Sequence, residues 1–562
     1  MKKKACTNWP KVYLAQIETG KIPVSQKIYA VYKRECSWMD NSPPDFPYVF
    51  VPELGQYYID YMQRFCRQSK GKAGGQLIKF ELFQLAKMQL VFGWIEKDTG
   101  FRRIREVFDI RGRKNGKSTE TAAVMHAMLE IDGEAGPEIY CVANSKDQAD
   151  AVFKECVNMR AQSPAIIKIT KKRRSDIYCP ANFGFIQALA AKTDTLDGKN
   201  AQFVCQDEPH EQKTSELYDV MKQSQSFREQ PLYWMISTNG FVREGFFDQK
   251  YEVYSKIALW EEGYQDYTVL PLIYELDSRE EWTDEACWEK ANPGLGTIKS
   301  MKTMREHVAQ AMRDPSFLPT VLTKDFNLTE NSSESWLKFE DIKNETVVPM
   351  EKLEGSYAIG GCDLSATTDL TCATLLIMKP DDENYYVLQK YFLPEGRLEE
   401  LRATSNKEAP YQLWAERGWL HICKGKTVDY NDVTNWFVEM VQVHDIRPLW
   451  ICYDAALSGY WAPQMQEIGF VMEKIRQGPI TWTYPMKLLG GALQEHRVIY
   501  QNNPMLRWCL SNTAKKSTNR DGIESIQPVK CARNRRIDGM VSLLNAWVGL
   551  QNHSGEFLPY LR

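Results

Sequence analysis

The chain is predicted to be an α/β protein of two successive domains, a parallel-sheet phosphate-binding domain and a second α/β domain built on an antiparallel meander. Three observations lead there. In the first half, short apolar strands alternate with helix-forming stretches, which calls for crossover connections and a parallel sheet covered on both faces. Between one such strand and its helix lies a glycine-bearing loop that ends Gly116-Lys117-Ser118-Thr119. In the second half, apolar strands follow one another directly, with Lys379-Pro380-Asp381-Asp382 as the turn between two of them.

At 562 residues the chain exceeds what one core supports. It divides into a lead-in over 1–70, a phosphate-binding domain over 71–332 and a second domain over 333–562. Residues 255–332 are mostly helical in this reading and form a linker or lid, and the polar, turn-prone 327–335 marks the boundary. A formal charge of −3 excludes binding of nucleic acid through the overall field, so any such contact must come from local basic patches. The 14 cysteines include no CxxC pair and no zinc-like cluster, which predicts free thiols in a reducing compartment. Met1-Lys2-Lys3-Lys4 leads into no apolar stretch of the kind a signal peptide carries, and no run approaches the roughly 20 apolar residues of a membrane span. A soluble protein with no membrane partner is expected.

In the lead-in, Pro43-Pro44 and Pro47 interrupt any long helix, and 57–65 has amphipathic helical spacing. Residues 107–110 form a strand, Arg111-Gly112-Arg113-Lys114-Asn115-Gly116-Lys117-Ser118-Thr119 the loop, and 120–129 a helix. Backbone N–H groups of such a loop and the positive helix end face an anion. Lys117 would reach terminal phosphates, and the Ser118 hydroxyl would join a magnesium shell. Arg111 stands where the usual first glycine would be. Gln84, just upstream, either reads an adenine edge or is a surface residue of its helix. Residues 138–143 form a buried strand and 144–149 open a helix, while Lys171-Lys172-Arg173-Arg174 is a solvated face. The apolar strand from 201 ends in Asp207-Glu208, which places two carboxylates at the ligand-binding edge of the sheet. Asp207 would hold magnesium, and Glu208 would orient and deprotonate an attacking water. The strand 232–236 exits through Ser237-Thr238-Asn239-Gly240, where Ser237, Thr238 and Asn239 would sense a γ-phosphate and pass its loss onward.

In the second half, strands are expected over 356–362, 372–378, 385–392 and 449–453, and a helix over 540–547. Asp363 and Asp454 end strands and Asp538 opens the helix. Such a trio converges on two divalent cations, and hard oxygen ligands select magnesium or manganese. The pattern is similar to that of RNase H-like nucleases. Asp369 is a weaker flanking candidate, and Asp429 is expected to cap the helix through Trp436. Lys515, Lys516, Arg520, Lys530, Arg533, Arg535 and Arg536 crowd this region and offer contacts to a DNA backbone.

Taken together, these stretches resemble the large subunit of tailed-bacteriophage terminases. The resemblance is carried by Arg113 to Ser118, 144–149, Asp197-Gly198, Asp207-Glu208-Pro209-His210, Ser237 to Gly240, Asp363-Leu364-Ser365, Asp454 and 530–539, with Gly20-Lys21-Ile22 and Phe92-Gly93-Trp94 in the lead-in. It implies a RecA-like ATPase of the additional-strand type joined to an RNase H-like endonuclease, using ATP with magnesium at one site and two magnesium or manganese ions at the other. The family's phosphate loop is shifted and carries an internal arginine, so Arg111 is no obstacle and Arg113 becomes a candidate γ-phosphate contact. Further implications are double-stranded DNA cut with little sequence preference, a small terminase subunit that chooses the DNA, and a portal vertex on an empty procapsid in the host cytoplasm. The subunit would form a ring when docked there and be monomeric when free. The alternative is a superfamily 2-like helicase-nuclease, because Asp207-Glu208-Pro209-His210 also looks like a DExH box; that reading requires a second RecA-like domain. A DNA-binding scaffold with decayed sites is opposed by the intact Lys117, Ser118, Asp207, Glu208 and aspartate trio.

Overall fold

A computed structural model of the chain describes residues 6–561 apart from 190–195, 197, 213, 243–244, 315–316, 331–334, 366–369, 404–408, 455–458, 521–522 and 532–534. It comprises two compact units, Met1–Thr329 and Glu330–Arg562. Among the described residues no helix is long and apolar enough to cross a membrane.

The first unit is organised on an eight-stranded sheet in the order Val269–Ile273, Glu106–Ile110, Leu232–Ser237, Ala201–Asp207, Glu138–Val142, Phe185–Leu189, Asp176–Tyr178, Lys171–Lys172. The first six strands are parallel and the last two antiparallel. Leu232–Ser237 lies between the phosphate-loop strand and the acid-bearing strand, which is the additional-strand arrangement. The strands read as near-continuous apolar runs because both faces are covered, each by its own core. Helices Trp9–Glu18, Gln26–Asp40 and Pro52–Phe65 pack into one of these cores, with the prolines at 43, 44 and 47 falling between helices.

One expectation is corrected here. Residues 255–332 are not mostly helical: Val269–Ile273 is a fully buried strand paired to Glu106–Ile110, and the helices that follow are separated by turns. Pro271 at its centre is tolerated because the strand sits at the sheet edge, where a missing N–H leaves no ladder bond unmade.

The second unit has the order Leu420–Cys423, Tyr385–Pro394, Thr371–Met378, Tyr357–Asp363, Arg447–Asp454, Met472–Ile475, with Val498–Ile499 beside Tyr385 and Tyr386. The three strands from Tyr357 to Pro394 are the antiparallel meander, and the flanking strands join in parallel. Separate apolar cores again cover the two faces. The basic segment near 515–530 is a two-stranded ribbon, Thr513–Arg520 with Ile523–Lys530. The predicted cap at Asp429 is present, its carboxylate accepting from Asn431 N at 2.9 Å.

Helix Asp538–Asn552 seats on the centre of this sheet through a face of small residues, Gly539, Ser542, Ala546 and Gly549. Ser542 Oγ donates to Gly361 O or Cys372 O (3.1 Å each), and Asn545 Nδ2 donates to Cys362 O at 3.0 Å. The approach is so close that a Cβ on Gly361 would lie 2.1 Å from Ser542 O and 2.8 Å from Ala546 N. Because the obstacle is helix backbone, Gly361→Ala is expected to destabilise the second unit by about 1–3 kcal/mol and to displace Asp538. Urea unfolding measures this, and an unchanged midpoint would show that the helix is not held as tightly as described.

Candidate nucleotide and metal sites

The phosphate loop owes its shape to contacts on both sides. Lys114 and Gly116 have left-handed backbone (φ 66° and 75°), and helix Lys117–Glu130 begins directly after. A Cβ on Gly112 would lie 2.3 Å from Asn292 Oδ1 and 2.5 Å from Asp325 O, so only glycine fits there. Asn115 Nδ2 donates to Gly112 O and Asn292 Oδ1, both at 2.9 Å, and Arg113 N donates to Lys324 O at 2.8 Å. The segment after 275 therefore forms the wall of the loop. Lys117 Nζ donates back to Arg111 O at 2.7 Å, while the side chains of Arg113 and Ser118 are exposed. Burial lowers the Lys117 ammonium to about 8 against the opposing charge of Glu208.

Arg111 takes no part in cradling an anion. It is wholly buried, 2.8 Å from Asp109 and 3.0 Å from Glu120, and Lys87 Nζ, equally buried, lies 2.6 Å from Asp109 and also pairs with Glu120. Arg111 Nη1 also reaches Asn115 O at 3.2 Å, so this quartet holds the loop from beneath. Lys87→Met would leave two buried carboxylates with one cation. A loss of about 3–5 kcal/mol is predicted in denaturant unfolding, and a variant as stable as the parent would mean the quartet is not a buried ion network.

Gln84 is likewise engaged inside the protein. Its Oε1 accepts from Glu81 N at 3.0 Å in a capping box and its Nε2 donates to Glu120 at 2.7 Å, so an adenine edge would have to displace these bonds. Thr119 turns from the loop to Glu155, 3.0 Å away.

Asp207 ends its strand beside this loop, and Glu208 follows with left-handed backbone (φ 48°), a strained conformation of the kind found at functional sites. Burial pushes the Asp207 carboxyl up to about 7, with the charge of Glu208 adding to the effect. Burial also acts upward on Glu208, but His210, Lys117 and Lys324 outweigh it and hold the carboxyl at about 2. His210 Nδ1 lies 2.8 Å from Glu208 Oε2 and 2.8 Å from Ser237 Oγ. Lys324 Nζ lies 2.7 Å from His210 Nε2, and an ammonium can only donate, so the ring carries its proton on Nδ1. Lys324 also donates to Asn239 O at 2.9 Å, and Asn239 Nδ2 donates to Asn327 O and Thr329 Oγ1. Ser237, Thr238 and Asn239 are all buried. A continuous polar chain thus runs from Glu208 to the last residues of the first unit. From the sequence His210 was read only as the end of the Asp-Glu-Pro-His stretch, and Lys324, 114 residues on, was not singled out; only the fold brings them together.

In the second unit, Cys362 pairs with Tyr453, so Asp363 and Asp454 leave neighbouring parallel strands at the same level, and Asp538 opens the helix seated on those strands. The Asp363 carboxyl is raised well above its ordinary range by burial and by the charges of Asp538 and Asp454, with Lys530 opposing. Carboxylates placed on these neighbouring elements suit divalent cations, because all their donors are hard oxygens. Lys515 and Lys516 are exposed on the ribbon, Lys530 ends it near the trio, Arg535 is half-buried, and Arg536 is buried with Asp538 acting on it. Asp197, Asp369 and Arg533 lie outside the described residues, as does the side chain of Arg520.

Comparison with known proteins agrees with both halves. Residues 82–256 match the family model "Terminase large subunit, ATPase domain" and residues 264–554 match "Terminase large subunit, endonuclease domain". The large terminase subunit of Enterobacteria phage HK97 is 26% identical over 506 residues, covering 87% of this chain and 94% of the phage protein. Protein YmfN of Escherichia coli K12 is 26% identical over 367 residues, covering 62% and 77%. The crystal structure of the HK97 large terminase superposes with a TM-score of 0.47 at 23% identity, covering 88% of this chain and 99% of that one. The helicase alternative finds no support, since the second unit has an antiparallel meander and an aspartate trio where a second RecA-like domain would stand. The chain belongs to the terminase large-subunit family, the ATP-hydrolysing and DNA-cutting enzymes of phage DNA packaging.

Proposed function

We propose that the first unit spends ATP to translocate double-stranded DNA and the second cuts it, with the residues named above in these roles. Gly116, Lys117, Ser118 and Arg113 hold the phosphates. Ser118 and Asp207 would hold a magnesium ion, which supplies positive charge where the transferred phosphoryl group builds up negative charge. Glu208 is kept ionised, and His210 fixes its direction, so that it accepts a proton from the attacking water. Ser237, Thr238 and Asn239 carry the change outward along the Lys324 chain to Thr329, where the first unit ends.

In the second unit Asp363, Asp454 and Asp538 would hold two divalent cations, magnesium or manganese, which activate water and stabilise a leaving phosphodiester oxygen when bound. Lys515, Lys516, Arg520, Lys530, Arg533, Arg535 and Arg536 position the DNA backbone without reading sequence. The packaging partners are a portal vertex on a procapsid and a small terminase subunit in the host cytoplasm, with this chain forming a ring when docked. The observation that carries the nuclease assignment is the placement of Asp363 and Asp454 at the same level of neighbouring parallel strands, with Asp538 opening the helix seated on those strands. Because the second unit has its own cores, residues 330–562 alone are expected to nick plasmid DNA with manganese or magnesium and no ATP. A folded fragment that leaves supercoiled plasmid intact with either ion would refute the assignment.

A further inference from the structure

The outer strand of the second unit carries a group unrelated to phosphate chemistry. His421 and Cys423 are two residues apart on Leu420–Cys423 and therefore project from one face of it. Asp432, in the first turn of helix Tyr430–Gln442, faces them, and one ligand atom from each residue lies within 4.8 Å of the other two. His421 Nε2 and Asp432 Oδ2 are 3.1 Å apart. Two ligands bound tetrahedrally at about 2.0–2.1 Å sit roughly 3.3 Å from each other, so this pair already has the edge length of a zinc site.

We infer that His421, Cys423 and Asp432 form a zinc-binding site that clamps the outer strand to its covering helix. The donor set of imidazole, thiolate and carboxylate suits zinc and other borderline-soft divalent ions and is a poor match for magnesium. Both supporting elements are fixed independently of a metal. The strand is paired in register to Tyr391–Pro394 and the helix is capped by Asp429. Cys423 is fully buried while His421 and Asp432 keep 45% and 30% of their side-chain surface exposed, which leaves a path for the ion and room for water as fourth ligand. Two strands, Tyr385–Pro394 and Thr371–Met378, separate this strand from the one that ends at Asp363, a gap of about 14 Å at ordinary strand spacing. The site is thus distinct from the aspartate trio. The His-x-Cys spacing was present in the sequence, but Asp432 nine residues on joins it only through the strand-to-helix turn.

The test uses the full chain, stripped with chelator, reloaded with zinc and desalted, with bound metal measured by elemental analysis. About one zinc per chain is expected in the parent, and the same in Asp363→Asn, which removes binding at the aspartate trio. His421→Ala and Cys423→Ser are expected to retain no more than about a tenth of it. Cobalt added to the parent should give a sulfur-to-metal charge-transfer band that Cys423→Ser lacks. Zinc loss in Asp363→Asn with retention in Cys423→Ser would overturn the proposal. The absence of both retained zinc and the cobalt band in the parent would overturn it whether or not the variants fold.

Discussion

Lys117→Ala is expected to lower ATP turnover by at least about 10²–10³-fold, the loss typical of removing one electrostatic contact to a reacting group. Its ammonium is held by Arg111 O at 2.7 Å and Gly112 O at 3.4 Å, inside the loop. Those carbonyls are weak partners for a buried cation, so an arriving phosphate gains a charge that is already desolvated and already aimed. ATP affinity should fall with turnover. Glu208→Gln separates the two effects, because the amide keeps the shape of the side chain but cannot accept a proton. It should bind ATP as the parent does and fail to hydrolyse it. Phosphate release and nucleotide titration on the two variants measure this, and near-normal turnover in either one removes that residue from the mechanism. DNA cleavage should be unchanged in both, since Asp363, Asp454 and Asp538 all belong to the other unit.

The second large effect is the converse. Asp363→Asn, Asp454→Asn and Asp538→Asn should each reduce metal-dependent plasmid cleavage by about 10³-fold or more while leaving ATP turnover intact, because a shared cation worth several kcal/mol to the transition state loses a ligand. Stability supplies a control that a merely structural carboxylate would fail. The charges of Asp538 and Asp454 oppose ionisation of Asp363, so neutralising it relieves repulsion. The metal-free Asp363→Asn protein should therefore melt no lower than the parent. A large loss of stability with cleavage retained would make the trio a structural cluster.

Much of this architecture was legible in the sequence because its elements are locally determined. Apolar runs bounded by turn residues marked the strands carrying Asp207, Asp363 and Asp454, which begin or end within about two residues of where they were expected. Asp429 was recognisable as a cap because capping needs only its own helix. What escaped notice depends on distant partners. Val269–Ile273 is stabilised as a strand by Glu106–Ile110, more than 150 residues upstream. The ribbon from Thr513 to Lys530 is polar over much of its length and offers little apolar alternation to read, although its backbone pairs without interruption. Arg111 looked like a substituted phosphate-loop residue, whereas burial against Asp109, Glu120 and Lys87 makes it the foundation of that loop. Gln84 was open between an adenine contact and a surface position. The surface position is ruled out, since Gln84 is buried and bonded to Glu81 and Glu120 where the helix start and the phosphate-loop helix meet.

The central claim is that one polypeptide carries two phosphate chemistries at separate places. An anomalous-scattering map from crystals soaked in manganese, with an ATP analogue present, tests it most directly. The account predicts one peak beside Ser118 and Asp207 and a pair of peaks among Asp363, Asp454 and Asp538. A map with nothing among those three aspartates, in crystals whose nucleotide site is occupied, would contradict it.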